Sequence, residues 1–207
     1  MTSSQTTPPQ ARDRSYRSPA GIAGGVALIL MGAWLGGDVL VNGDGQASWT
    51  VLAALLCVVP LVVAFTIRPA VFGNEDRLRV RNPFRDITLP WAAVSGFRSG
   101  YSNEVVDEAG TKYQLWSIPV SLRGRRKAQR QQLRAAKGGR TPTGASGLPV
   151  TEQRSPGDQA MDELRELHES RAAAEGSQGT LKVRWAYEII APAVVGAVLL
   201  VVLIALG

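Results

Sequence analysis

Apolar residues along this chain gather into three long runs, Ala20–Val41, Trp49–Ile67 and Trp185–Leu206. Each approaches or exceeds the ~20 residues that carry a helix across a ~30 Å hydrocarbon layer. The first two are separated only by Asn42–Ser48 and read as a helical hairpin over 20–67; the third is expected as a span over 185–207. A secretory signal peptide competes for the first run, because it too combines basic flanks with an apolar stretch. The length of the run, the lack of a small-x-small cleavage site and the second run close behind it favour the hairpin.

Details within the runs bear on how the helices pack. Gly21, Gly25, Gly32 and Gly36 supply two small-x-x-x-small spacings that admit a second helix at close range. Packing within the hairpin is the plainer use of them, and a specific dimer the alternative. Pro60 and Pro192 are expected to kink their helices. Trp49, Trp185 and Tyr187 stand at run ends, where interfacial aromatic residues belong. Asp38 lies near an end of its run, where reaching the interface is cheap, and is a weak candidate for an ion or substrate site.

Between the second and third runs the period changes from helical to strand-like. Leu78 and Val80 alternate with Arg77, Arg79 and Arg81; Asn82-Pro83 supplies a turn; Ile87 and Leu89 alternate with Asp86 and Thr88. A strand over Trp91–Phe97 is expected after Pro90, which marks an edge or a strand start. Glu104–Val106 and Lys112–Trp116 flank Asp107-Glu108-Ala109-Gly110, a hairpin turn in which Gly110 is free to take positive φ. About five short strands over 68–120 predict a small antiparallel sheet or barrel.

These residues carry a resemblance. Leu78-Arg79-Val80-Arg81-Asn82-Pro83-Phe84-Arg85, followed by Ile87-Thr88-Leu89-Pro90-Trp91, resembles the bacterial PH-like domains, in particular those related to low-molecular-weight protein antigen 6. Asn82, Pro83, Pro90, Trp91 and Gly110 are the positions that match. The resemblance implies a PH-like barrel closed by a helix, and a binding module without catalysis. It covers about a quarter of the chain and its motifs carry fold, not chemistry.

The closing helix is expected at 155–175: Ser155 as N-cap, Pro156 in the first turn, Asp158 as capping-box acid, and Ala160, Met161, Leu164 and Leu167 as an apolar stripe. Ahead of it, 121–137 reads as a separate basic helix and 138–154 as a Gly/Thr/Pro/Ser-rich linker. The N-terminal residues 1–19 read as a disordered tail.

Charge orients the chain. The net formal charge is +6, and Arg12, Arg14, Arg17, Arg68, Arg77, Arg79 and Arg81 flank the hairpin on one side, whereas the 42–48 loop has no Lys or Arg. The tail and central segment are therefore expected in the cytoplasm, and the 42–48 loop and C-terminus outside a cell membrane crossed three times. Abundant Arg, Ala, Gly and Val suit a GC-rich, bacterial genome. On a helix, Arg123, Arg126, Lys127, Arg130, Arg134 and Lys137 present a basic face to anionic lipid of the inner leaflet. A merely solvated face is the nearest alternative; an acidic protein partner comes next, and nucleic acid last, because no aromatic residues interleave.

Catalytic chemistry has little to stand on. The chain has one His, His168, which reads as a surface or packing residue, and one Cys, Cys57, inside a run. No phosphate loop or metal-ligand spacing accompanies them, so no catalytic residue, metal or cofactor is expected. The expectation is a non-catalytic multi-pass membrane protein: three α-helical spans and a cytoplasmic α+β PH-like barrel that binds a peptide, protein or anionic headgroup. The alternative is an accessory or regulatory subunit of a membrane complex that uses the glycine-bearing helices as its interface, with a protein partner or a second copy of the chain as its neighbour; a small-solute transporter is weaker still.

Overall fold

The computed structural model describes residues 13–120 and 155–206. In chain order the elements are β1 (Arg14–Tyr16), α1 (Pro19–Asn42), α2 (Gly45–Val62, prolonged by a π-helical turn, Val63–Ile67), β2 (Ala70–Gly73), β3 (Arg77–Arg81), β4 (Arg85–Pro90), a 3₁₀ turn (Trp91–Ala93), β5 (Val94–Ser99), β6 (Asn103–Asp107), β7 (Lys112–Gln114), α3 (Pro156–Arg171), a second 3₁₀ turn (Glu175–Ser177), β8 (Lys182–Trp185) and α4 (Tyr187–Leu206).

Three of these helices are long and apolar enough to cross a membrane: α1, α2 with its π turn, and α4. Ser18 caps α1, its Oγ accepting from Gly21 N at 3.2 Å; Asp44 caps α2, its carboxylate accepting from Ala47 N at 2.7 Å. The hairpin turn is thus as short as two caps allow. Pro60 removes one intrahelical donor from α2, and a few residues later the ladder widens so that Arg68 N donates to Val63 O at 2.9 Å.

The helices meet at small residues. A Cβ on Gly25 would run into the Thr66 side chain, and one on Gly36 would lie 2.8 Å from Leu55 Cδ1. A Cβ on Gly196 of α4 would strike the backbone of Leu56 and Cys57. α2 is therefore the middle helix, with α1 and α4 both packed on it. Gly21 faces Ser18 and the Thr66 carbonyl, and Gly32 faces Leu55, so all four glycines of the expected spacing lie against groups of this chain. Asp38 accepts a hydrogen bond from Asn42 Nδ2, one turn on, at 2.8 Å.

Two antiparallel sheets enclose the polar segment's core, one ordered β1-β2-β3-β4-β8 and the other β5-β6-β7. Strand alternation accounts for the interior: Val71, Leu78, Val80, Ile87 and Leu89 project inward from the first sheet and Val105 from the second. Trp91, fully buried, is pinned by a 2.8 Å bond from its Nε1 to the Asn74 carbonyl. Helix α3 lays Ala160, Met161 and Leu164 on this core, with Leu167 at its margin. Ser155 Oγ accepts from Asp158 N at 3.2 Å and donates to the Asp158 carboxylate at 2.8 Å. His168 Nε2 donates to the Val94 carbonyl at 2.7 Å, with its ring near Trp91 and Phe97, so it packs. Gly110 adopts φ +80°, and the Asp107 side chain accepts from Thr111 N across the same turn at 2.7 Å.

Several expectations need correction. The tail expected to be disordered over 1–19 contributes Arg14–Tyr16 as an edge strand, paired through Tyr16↔Val71, and Pro19 begins α1. Trp91 does not open a strand: Trp91–Ala93 is a 3₁₀ turn, and β5 starts at Val94 with a bulge before Gly96. The third long apolar helix starts at Tyr187, because Lys182–Trp185 is a strand paired with β4. Helix α3 stops at Arg171, before the expected 175. The basic stretch 121–137, with Arg123, Arg126, Lys127, Arg130, Arg134 and Lys137, and the linker 138–154 lie outside the described residues.

Candidate functional site

The inward side chains of β2, β3 and β4 are apolar, so the same alternation forces their neighbours onto the outer face. Phe72, Arg77, Arg79, Arg81, Asp86, Thr88, Lys182 and Arg184 stand there, and with Asp13, Arg68, Asn74, Asp76 and Glu188 they line an open groove of about 860 Å³. Register brings Asp86 opposite both Arg81 and Arg184, and Thr88 opposite both Arg79 and Lys182. The groove is polar throughout except for the Phe72 ring, and cations outnumber acids along it.

Two of its four acids, Asp86 and Glu188, are held by arginines, and Asp13 accepts from Asn74 Nδ2 at 3.0 Å. Asp86 accepts from Arg79 Nε at 2.9 Å and Nη2 at 2.6 Å, a bidentate pair. Arg81 Nε stands 3.8 Å from the same carboxylate, beyond hydrogen-bond range. Burial opposes ionisation of Asp86, but Arg79's hydrogen bonds and the fields of Arg79, Arg81 and Arg68 outweigh it and hold the carboxyl below its ordinary value. The same hydrogen bond raises Arg79. Glu188 accepts from Arg184 at 3.1 Å and Arg68 Nη1 at 3.4 Å.

One end of the groove lies at the ends of α1 and α2, and there Arg17, Arg68 and Arg81 gather, two of them over the Phe72 ring. Arg17 precedes the N-cap of α1, Arg68 follows the π turn of α2, and Arg81 ends β3. Ala70 pairs with Arg81, and extending the β1–β2 register by one residue sets Arg17 on the other side of Ala70. The Arg17 and Arg81 guanidinium carbons lie 5.8 and 5.6 Å from the Phe72 ring centroid. Arg68 Nε donates to the Asn82 carbonyl at 3.2 Å. Arg68 Nη2 and Arg81 Nε are buried and lack any hydrogen-bond partner. Desolvation, reinforced by Arg79 and also by Arg68 and Arg17, pulls the Arg81 pKa below its ordinary value.

The β3–β4 turn closes this end. Asn82 N donates to Arg85 O at 2.8 Å, which holds the Asn82-Pro83 turn. Phe84 sits edge-on to Phe65 of the π turn, centroids 5.4 Å apart, and its carbonyl accepts from Ala186 N at 2.9 Å. Trp116 joins Phe65 at 5.7 Å, and the Arg85 guanidinium stacks over Trp185 at 4.3 Å. The turn is thus bonded to the ends of α2 and α4 together.

Of the motif positions, Asn82 and Pro83 stand at the junction with the spans. Pro90 and Trp91 lie at the far end of β4, and Gly110 is in the second sheet. Sequence reasoning counted Arg17, Arg68, Arg79 and Arg81 only as orienting charge. The signal that they share a site was the strict alternation of Arg77, Arg79 and Arg81 with Leu78 and Val80, which sends all three to one face. Lys182 and Arg184 gave no such signal, since β8 was hidden in the flank of an apolar run.

No curated protein and no solved structure matches the chain. Strands β2 to β7 fall within the matching segment, whereas α3, β8 and the three long apolar helices lie beyond it. Residues 68–143 match the family model described as Bacterial PH domain, and the polar segment that follows the second span is similar to that family.

Proposed function

We propose that this protein is a non-catalytic, three-span membrane protein that holds a PH-like binding module in one orientation at the cytoplasmic leaflet. The observation that carries this reading is the double attachment of one turn. Arg68, one residue past α2, bonds the Asn82 carbonyl, and Ala186, one residue before α4, bonds the Phe84 carbonyl. A domain on flexible tethers would sample many orientations, whereas two backbone-level bonds beside two spans leave the sheet one pose. Its cationic outer face then starts at the headgroup layer and runs away from it.

Lys and Arg flank the sheet-side ends of all three spans, and none lies in the 42–48 loop, which supports a cytoplasmic sheet. Bacterial PH domain similarity supports a binding role, and fold alone does not choose the ligand. The groove chemistry favours an anionic one. Photo-crosslinking in native membranes, with the reactive group at Thr88 on the groove floor, tests the reading. Adducts with acidic protein segments or anionic lipid support it. Adducts with neither, while a probe in the 42–48 loop or at the end of α4 labels cytoplasmic proteins, overturn it.

A further inference from the structure

We propose that Arg17, Arg68 and Arg81 form a binding site for a phosphate group, placed to take the headgroup phosphate of an anionic lipid beside the spans. The inference rests on the reading that the sheet lies at the membrane surface, and it names the part of the groove that does the binding. Three lines converge on it.

The first is placement. Arg17 and Arg68 are immediate neighbours of two helices that the chain uses as spans, and Arg81 belongs to the strand that runs into the turn wedged between α2 and α4. All three sit at the depth where headgroup phosphates lie, and Phe72 beside them offers an apolar wall.

The second is unmet hydrogen bonding. Arg68 Nη2 and Arg81 Nε have no acceptor, and the Arg68 side chain is only 11% exposed. A buried charged donor without an acceptor is costly, and native structures leave few of them. Neither nearby carboxylate supplies what is missing: Asp86 is taken by Arg79, and Glu188 is shared by Arg184 and Arg68 Nη1. A phosphate offers several acceptor oxygens, and small rotations of the long arginine side chains bring these donors onto them.

The third is mutual repulsion. Burial first, and then the fields of Arg79, Arg68 and Arg17, lower the basicity of Arg81, and Arg17 makes no hydrogen bond or ion pair among the described residues. An anion entering between the guanidiniums relieves the repulsion, and no side chain of the described structure does.

The test uses the full chain purified in mild detergent, titrated separately with phosphatidylglycerol, phosphatidylcholine and inorganic phosphate. Bound lipid is counted by native mass spectrometry, and melting temperature is followed in parallel. Arg81→Gln and Arg17→Gln are the informative variants, since neither side chain donates a hydrogen bond among the described residues. Arg98→Gln, exposed on β5 of the other sheet, controls for loss of one positive charge.

The wild type and Arg98→Gln are expected to retain one phosphatidylglycerol. Each site variant is expected to weaken retention about tenfold or more, the size of one charge-assisted hydrogen bond. Displacement of the lipid by millimolar inorganic phosphate assigns the site to the phosphate group alone; indifference to it assigns the site to the whole headgroup. Equal retention by all four proteins, or equal loss in Arg98→Gln, overturns the proposal. A topology assay on the same variants separates the two levels. A cytoplasmic sheet with no site-dependent lipid removes the site and leaves the display reading standing, whereas a sheet on the other side removes both.

Discussion

Half-buried on β4, Asp86 would by burial alone be easier to protonate, yet the Arg79 fork keeps it charged. The sign of the consequence follows from that. A carboxyl whose folded pKa lies below its unfolded value of about 3.9 stabilises the fold above that value and loses its contribution as pH falls through the lower one. Unfolding of the wild type should therefore become easier as pH falls below about 4. Asp86→Asn should cost about 1.5–3 kcal/mol at neutral pH, the range for hydrogen bonds to charged groups, and should flatten that acid dependence. Thermal unfolding in detergent from pH 7 to pH 2 checks both, and an unchanged acid slope in the variant would refute the assignment. Trp91 offers a second residue-level test. Trp91→Phe keeps most of the buried ring but orphans the Asn74 carbonyl, for about 1–2 kcal/mol, whereas Trp91→Ala also opens a cavity and should cost about 3–5 kcal/mol.

Among the elements, α2 carries the most consequence, because α1 and α4 both pack on it at glycine. Ile189, Ala193 and Gly196 are the buried positions of α4, spaced four and three apart, and at Gly196 the α2 backbone is so close that no Cβ fits. Gly196→Leu should push α4 away and uncover Cys57, whose backbone is the obstacle. As the chain's sole cysteine, Cys57 reports this directly: a membrane-permeant maleimide should label the variant several-fold faster than the wild type. Equal rates would mean that the helices do not pack as described. Periodicity also explains what could be read in advance. The hairpin, β3, β4, the Gly110 turn and the stripe of α3 were legible because their alternation or caps are local. Strand β1 was not, since three residues beside an arginine-rich tail show no period and gain strand form only from Val71–Gly73 across the ladder. Strand β8 was not, since Val183 and Trp185 merge in sequence with the apolar residues of α4. Reading Trp91 as the start of a strand fails for a related reason: its burial depends on a bond to Asn74, seventeen residues earlier, which no short window contains.

At the scale of the whole molecule, the sheet side of the spans bears the charge. Arg14 and Arg17 precede α1, Arg68 follows α2, and Lys182 and Arg184 precede α4, whereas Asp44 is the one charged residue of the opposite loop. Span ends this asymmetric are inserted with the basic side in the cytoplasm. On the proposed three-span reading, the end of α4 lies with Asp44, outside, and the groove inside. The arrangement is testable residue by residue once Cys57 is replaced by Ser. A single Asp44→Cys should react with an impermeant maleimide in intact cells. A single Thr88→Cys, on the groove floor, should react only after the membrane is opened. Because Thr88 pairs in register with Lys182, five residues before α4 begins at Tyr187, its sidedness reports on the sheet and on α4 together. The reverse pattern would place the cationic groove outside the cell, where the anionic inner leaflet could not meet it, and would remove the physical basis for a headgroup ligand.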